Sequence, residues 1–289
     1  MRLALVLLVL GCVACVRPGA AQTGATPVPY TLPVEGGVIA YDVTGAGPAV
    51  VLIHGGFGDR RMWDRQVPAL ALRHRVVRFE FRGYGRSPAP TADYAALPDV
   101  LRLLDHLGID QAALVGNSMG GALAVDFALV HPERVSRLVL VASVVGGFPF
   151  PEEDRERERQ VVRTAADRGT EAAAELWLLH PMVAETRRDS AAGPLLRRMV
   201  LENREVWGIP FDRSDRLTPR ALRRLGDVHV PTLVIVGALD TPANQAAGRA
   251  LASGIPGARL VVLAGADHLP QLIRADTVNV LLREFLDRP

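Results

Sequence analysis

The sequence predicts an α/β protein: a mostly parallel sheet with helices on both faces and one helical insertion. Three observations lead there. Short apolar runs recur at residues 49–53, 75–79, 112–115, 135–141, 231–237 and 258–263. Continuous runs of this length suit parallel strands covered on both faces. Segments of helical periodicity separate them, and strand–helix–strand alternation builds right-handed crossovers into one sheet. The rhythm then breaks between residues 146 and 226, where no buried strand run occurs.

Taken in order, residues 31–35 and 38–43 read as two strands joined by Gly36-Gly37, a hairpin signal. The run at 49–53 ends in a glycine-rich loop, His54-Gly55-Gly56-Phe57-Gly58. Residues 62–72 have helical spacing. The strand at 75–79 leads into Glu80-Phe81-Arg82-Gly83-Tyr84-Gly85-Arg86-Ser87, and 99–107 form an amphipathic helix closed by Gly108. The strand at 112–115 is followed by Gly116-Asn117-Ser118-Met119-Gly120 and an apolar helix through Ala122, Val125 and Leu129. Within the insertion, 151–169 is highly charged and helical in pattern, and 170–179 and 194–206 are further helices. This all-helical stretch is expected to form a lid. The sheet resumes at 231–237 and 258–263, and a helix at 273–286 closes the chain.

The ends and the composition narrow the class. The chain has 289 residues and a formal net charge of +2, with no basic run, so nucleic acid is not an expected partner. There is no lysine; all 33 basic residues are arginine. Met1-Arg2, an apolar stretch at 3–16 and the small residues Gly19-Ala20-Ala21 read as a signal peptide over 1–21, with a Pro/Thr/Gly-rich tether over 22–30. The apolar stretch is short for a stable membrane span, so export to the periplasm or the exterior is expected. Val9-Leu10-Gly11-Cys12 loosely resembles a lipobox, which leaves lipid anchoring through Cys12 as an alternative. Both cysteines, Cys12 and Cys15, lie in this leader. A chain cut after Ala21 has no disulfide and no thiolate chemistry. The core is expected over 31–145 and 227–289, with the cap over 146–226 between them.

Ser118 carries the chemistry. A serine on a tight strand-to-helix turn has its hydroxyl pushed out, and only tiny residues fit two positions either side. The helix behind it points amide N–H groups at any charge that forms there. Serine is a poor nucleophile without a base, and the base needs a carboxylate to hold its tautomer. Asp240 follows the strand at 231–237, and His268 follows the strand at 258–263. The order Ser, acid, His is the one such turns accompany. Asp267 and Asp126 are rivals for the acid, although Asp267, adjacent to His268, should point elsewhere. His54 reads as a loop-bracing residue. His74, His106, His131, His180 and His229 lack metal-ligand spacing, so neither a metal nor another cofactor is expected.

From about residue 31 to its end the sequence resembles the α/β-hydrolase superfamily. The resemblance implies an eight-stranded, mostly parallel sheet with an inserted helical cap. By motif, Ser118 matches the family's nucleophile, Asp240 its acid and His268 its general base. His54-Gly55-Gly56 matches the oxyanion loop, whose N–H at Gly56 or Phe57 would join that of Met119. The segment 81–87 resembles the family's turn after the fourth strand; Glu80 stands where Asp is usual, with a structural effect expected. A serine nucleophile argues against the haloalkane dehalogenase and epoxide hydrolase branches. Gly116-Asn117-Ser118-Met119-Gly120-Gly121 is similar to carboxylesterases, enol-lactone hydrolases and C–C bond hydrolases of ring-cleavage products. In the last group a lid arginine often holds a substrate carboxylate, which Arg197 or Arg198 could do here. That group also tends to carry Trp after its histidine, where this chain has Leu269. The resemblance therefore implies an exported serine hydrolase acting on small carboxylic esters or lactones. The alternatives it leaves are a C–C hydrolase, a proline-iminopeptidase-like enzyme (with Phe57 in place of the usual Pro) and a ligand-binding protein that keeps the triad.

Overall fold

The computed structural model describes residues 30–91, 94–208 and 217–288. The expected signal peptide, all of the tether but Tyr30, and both cysteines lie outside the described residues. The sheet has eight strands: β1 (Tyr30–Val34), β2 (Gly37–Thr44), β3 (Ala49–Ile53), β4 (Arg75–Phe79), β5 (Ala112–Asn117), β6 (Val135–Val141), β7 (Thr232–Gly237) and β8 (Arg259–Leu263). Their order across the sheet is β1-β2-β4-β3-β5-β6-β7-β8. Pairing is parallel from β4 through β8, and only β1 and β2 run antiparallel to their neighbours. β5 and β7 are buried at every residue, as apolar runs with both faces covered require. β8, at the edge, alternates between half-buried and exposed positions.

Among the described residues, ten α-helices accompany the sheet. The first is α1 (Val67–Leu70), and it differs from the continuous helix expected over 62–72. A separate 3-10 turn, Arg60–Trp63, is capped by Asp59, whose carboxylate accepts the Arg61 N–H at 2.9 Å. Pro68 then opens a new helix, since proline has no N–H to continue an old one. α2 (Ala96–His106) and α3 (Met119–Val130) follow. Between β6 and β7 come α4 (Glu152–Arg168), α5 (Thr170–Leu178), α6 (Ala184–Arg188) and α7 (Ala192–Glu202), with no strand among the described residues of that segment. α8 (Pro242–Gly254) follows β7. The expected closing helix is α10 (Ala275–Leu286); a short α9 (Pro270–Ile273) precedes it, set apart where Arg274 leaves helical geometry at φ −127° and ψ 38°.

The pleat divides the core in two. On β3, Val51 and Ile53 join the cluster that includes Leu103 of α2 and Val125 of α3. Val50 and Leu52 face the other way, toward Trp63 and toward Val278 and Leu282 of α10. Each such buried side chain contributes about 1.5–3 kcal/mol. The insertion packs on this second side through Trp177, Val183, Leu196 and Met199. Among the described residues, no helix is long and apolar enough to cross a membrane.

Candidate active site

The site forms where β5 turns into α3. Ser118 stands between them at φ 51° and ψ −114°, outside the regions L-residues favour. The turn is fixed by the Ser118 N–H to Val141 O at 3.0 Å and the Ala122 N–H to Ser118 O at 3.0 Å. A side chain at Gly116 would strike the backbone of Gly120, and one at Gly120 would strike the carbonyls of Ile53 and His54. Both contacts are with backbone, which cannot swing aside. Replacing either glycine by alanine is therefore expected to cost about 1–3 kcal/mol of stability, measured by chemical denaturation. An unchanged midpoint would show that the turn can relax.

His268 reaches the serine from the loop after β8. Its Nε2 lies 2.9 Å from Ser118 Oγ, and its Nδ1 lies 2.7 Å from Asp240 Oδ2. Asp240 follows β7, and its other oxygen accepts the Thr241 N–H at 2.7 Å and Asn244 Nδ2 at 2.9 Å. Thr241 caps α8, and Asn244 sits in that helix's first turn. Asn117 links the two halves of the site: its Nδ2 donates to Val141 O at 3.0 Å and to His268 O at 3.2 Å. Asp126 lies further along α3, half-buried. Asp267 turns away from the imidazole; it accepts the Thr186 N–H at 2.7 Å and the Thr186 hydroxyl at 2.6 Å. The His268 N–H in turn donates to Met182 O at 3.0 Å. Thr186 and Met182 both belong to the insertion, so that segment is bonded to the histidine's own loop.

Burial works against a charge on His268, but the adjacent Asp240 carboxylate outweighs it and holds the imidazole above its ordinary value of 6.5. A base must be neutral to take a proton. Activity should therefore fall as pH drops through this raised value, with the acid limb of kcat/KM centred above pH 6.5. Asp240→Asn should move that limb to lower pH. A limb that stays put in the variant would mean another group controls it.

The glycine-rich loop after β3 faces the serine. His54 is fully buried, with Nδ1 2.8 Å from Gly55 O and Nε2 accepting the Phe81 N–H at 3.1 Å. Burial pulls it down to about 4, so it braces the loop as a neutral ring. Phe57 has φ 61°; its ring stacks on Trp207 at 3.8 Å and 13°, and meets Trp177 at 4.9 Å. Burial pushes the Tyr84 hydroxyl up, while a hydrogen bond with the Phe57 backbone works the other way. Glu80 holds its turn from inside: it accepts the Arg86 N–H at 2.7 Å, its carbonyl accepts the Ser87 hydroxyl at 2.7 Å, and its carboxylate fills the space beside Gly85.

Ser118 and His268 open into a cavity of about 770 Å³. Gly56, Phe57, Met119, Trp177, Leu196 and Leu269 line it, with Asp154, Arg155, Glu158 and Arg159 of α4 on the insertion side. The expected arginine contact is corrected. Arg197 is exposed and pairs with Glu175 at 2.5 Å, and Arg198 is exposed outside the cavity lining. α7 buries Leu196, Met199 and Val200, which turns 197 and 198 outward. Two of the positioning side chains, Asn117 and Thr186, carry no sequence signal, because their partners are far away in the chain. Thr241-Pro242 does read as a helix start.

A family profile for the alpha/beta hydrolase fold matches residues 48–275. A 2-hydroxy-6-oxononadienedioate/2-hydroxy-6-oxononatrienedioate hydrolase from Paraburkholderia phymatum is 32% identical over 289 aligned positions, covering 92% of this chain and 97% of the relative. Among solved structures, the enol-lactonase from Burkholderia xenovorans superposes with a TM-score of 0.76 at 30% identity, over 90% of this chain and 100% of that one. A thermophilic esterase from Thermogutta terrifontis superposes with a TM-score of 0.75 at 29% identity, over 86% of this chain and 93% of that one.

Proposed function

The chain belongs to the alpha/beta hydrolase family, and within it we propose that it is a serine hydrolase of carboxylic esters or lactones. One observation carries this reading: Ser118 Oγ, His268 and Asp240 form an unbroken hydrogen-bonded series at the floor of the cavity. Ser118 Oγ attacks the substrate carbonyl as its proton passes to His268 Nε2. Asp240 steadies the imidazolium at Nδ1. The oxyanion that forms is held by the N–H of Met119, whose place at the start of α3 leaves it without an intrahelical partner. The second donor comes from the glycine-rich loop. Gly56 and Phe57, both in the cavity lining, offer the N–H for that role. Each such donor is worth about 10²–10³ in kcat. His268 then protonates the leaving alcohol, activates a water, and the acyl-enzyme is hydrolysed to acid and free serine.

The printed names of the enol-lactonase and the esterase support this substrate class. A second reading, cleavage of a C–C bond in a ring-cleavage product, is favoured by the name of the Paraburkholderia relative and by Arg155 and Arg159 in the cavity wall. Rapid mixing with p-nitrophenyl esters separates the two. A stoichiometric burst of p-nitrophenolate followed by turnover supports the esterase. Turnover of a 2-hydroxy-6-oxodienoate with no ester cleavage would replace it with the C–C hydrolase. We further propose, on the leader pattern at 1–21 and the cap over 146–226, an exported enzyme with a helical lid. Mass spectrometry of the mature N-terminus tests export: a start at Gln22 supports it, a lipidated Cys12 means anchoring, and an intact Met1 overturns it.

A further inference from the structure

We propose that Glu158 is a cation subsite in the cavity, and that the enzyme prefers esters carrying a quaternary or protonated amine. The inference rests on the serine hydrolase reading and deepens it.

The charges of α4 decide the matter. Glu152 pairs with Arg155 at 2.7 Å and also with Arg159. Glu156 pairs with Arg159 at 2.7 Å and with Arg163. Asp154 pairs with Arg157 at 2.6 Å. The two arginines that reach the cavity, Arg155 and Arg159, thus already have carboxylate partners. Glu158 lines the same cavity and has no ion pair or hydrogen bond among the described residues. Glu158 is an exposed residue on the cavity wall, and the protein around it pushes its carboxyl above the usual range. A carboxylate that lines a substrate cavity without a counter-ion gains most from a cation brought by the ligand.

No neighbour supplies that cation at rest. Glu158 does feel His268, but that imidazole is neutral at rest in the active form of the enzyme, above its acid limb. His180, also in the lining, is brought down to about 4 by burial, and its Nδ1 accepts the Met182 N–H at 3.2 Å. It is neutral at physiological pH. The aromatic faces of Phe57 and Trp177 line the same space, and such faces attract ammonium groups. A free carboxylate with aromatic walls suits a cationic headgroup. An anionic one would meet repulsion from Glu158.

The test compares p-nitrophenyl 4-(trimethylammonio)butyrate with its uncharged isostere, p-nitrophenyl 5,5-dimethylhexanoate. Shape matches, the charge is permanent, and any difference in intrinsic reactivity is common to the wild type and the variant. The wild type should favour the cationic ester about tenfold in kcat/KM, chiefly through KM, and Glu158→Gln should remove most of that preference. If Glu158 serves only to steady His268, the variant loses activity on both esters equally, the ratio holds, and the subsite is overturned. A wild-type ratio at or below one also overturns it. Ser118-dependent turnover of both esters keeps these failures separate from failure of the hydrolase reading. If neither ester is cleaved, calorimetric titration with butyltrimethylammonium decides alone. Binding weakened about tenfold by Glu158→Gln supports the subsite, and no binding to the wild type excludes it.

Discussion

Ser118→Ala is expected to lower kcat by about 10⁴- to 10⁶-fold on every substrate the wild type turns over. Removing one oxygen removes the only atom that can carry the acyl group, while the cavity, His268 and Asp240 stay in place. Alanine retains the unfavourable φ of 51°, so the melting temperature should scarcely change. The p-nitrophenolate burst is the readout, with calorimetry as the control for folding. Loss of the burst with an unchanged melting curve places the chemistry at Ser118. A burst that survives would move the nucleophile elsewhere.

Asp240→Asn should cost about 10³- to 10⁴-fold in kcat, and the hydrogen bonds around Asp240 say why. Thr241 N–H and Asn244 Nδ2 both donate to Oδ1. An asparagine would turn its carbonyl oxygen toward those donors and present its NH₂ to His268 Nδ1. That nitrogen would have to accept, which puts the ring proton on Nε2, facing Ser118. A base that already holds its proton cannot take another. The packing is unchanged, so substrate binding and KM should be nearly preserved. Near-normal turnover would show that Asp240 is not the acid and would direct attention to Asp126.

Much of this was legible in the sequence because it depends on local pattern. β3, β4 and β6 lie at the residues expected of them: β3 is apolar at every position, and β4 keeps its place because Arg78 is paired inside with Asp42. Ser118, His268 and Asp240 each follow a strand, and the sheet topology brings those strand ends together. What failed depends on short-range competition. The helix expected at 62–72 breaks because Asp59 caps a separate turn and Pro68 starts another helix. α9 escapes notice because its four residues are too few to show a helical period. Arg198 was misplaced although the phase of Leu196, Met199 and Val200 along α7 turns it outward. Glu158 could not be singled out, because its isolation is visible only once each neighbouring carboxylate on α4 has found its arginine.

The bonds from Thr186 to Asp267, and from Met182 to the His268 backbone, bear on anyone who would redesign this enzyme. A segment that shapes the pocket is usually treated as interchangeable, a part to be traded between relatives to alter chain-length preference. Here a transplanted segment lacking the threonine would take the hydroxyl donor from a buried carboxylate, one residue from His268. Specificity and rate are therefore wired through the same loop. Grafts that carry Thr186 and the Met182 carbonyl position with them should retain turnover, and those that do not should lose it before their selectivity can be measured.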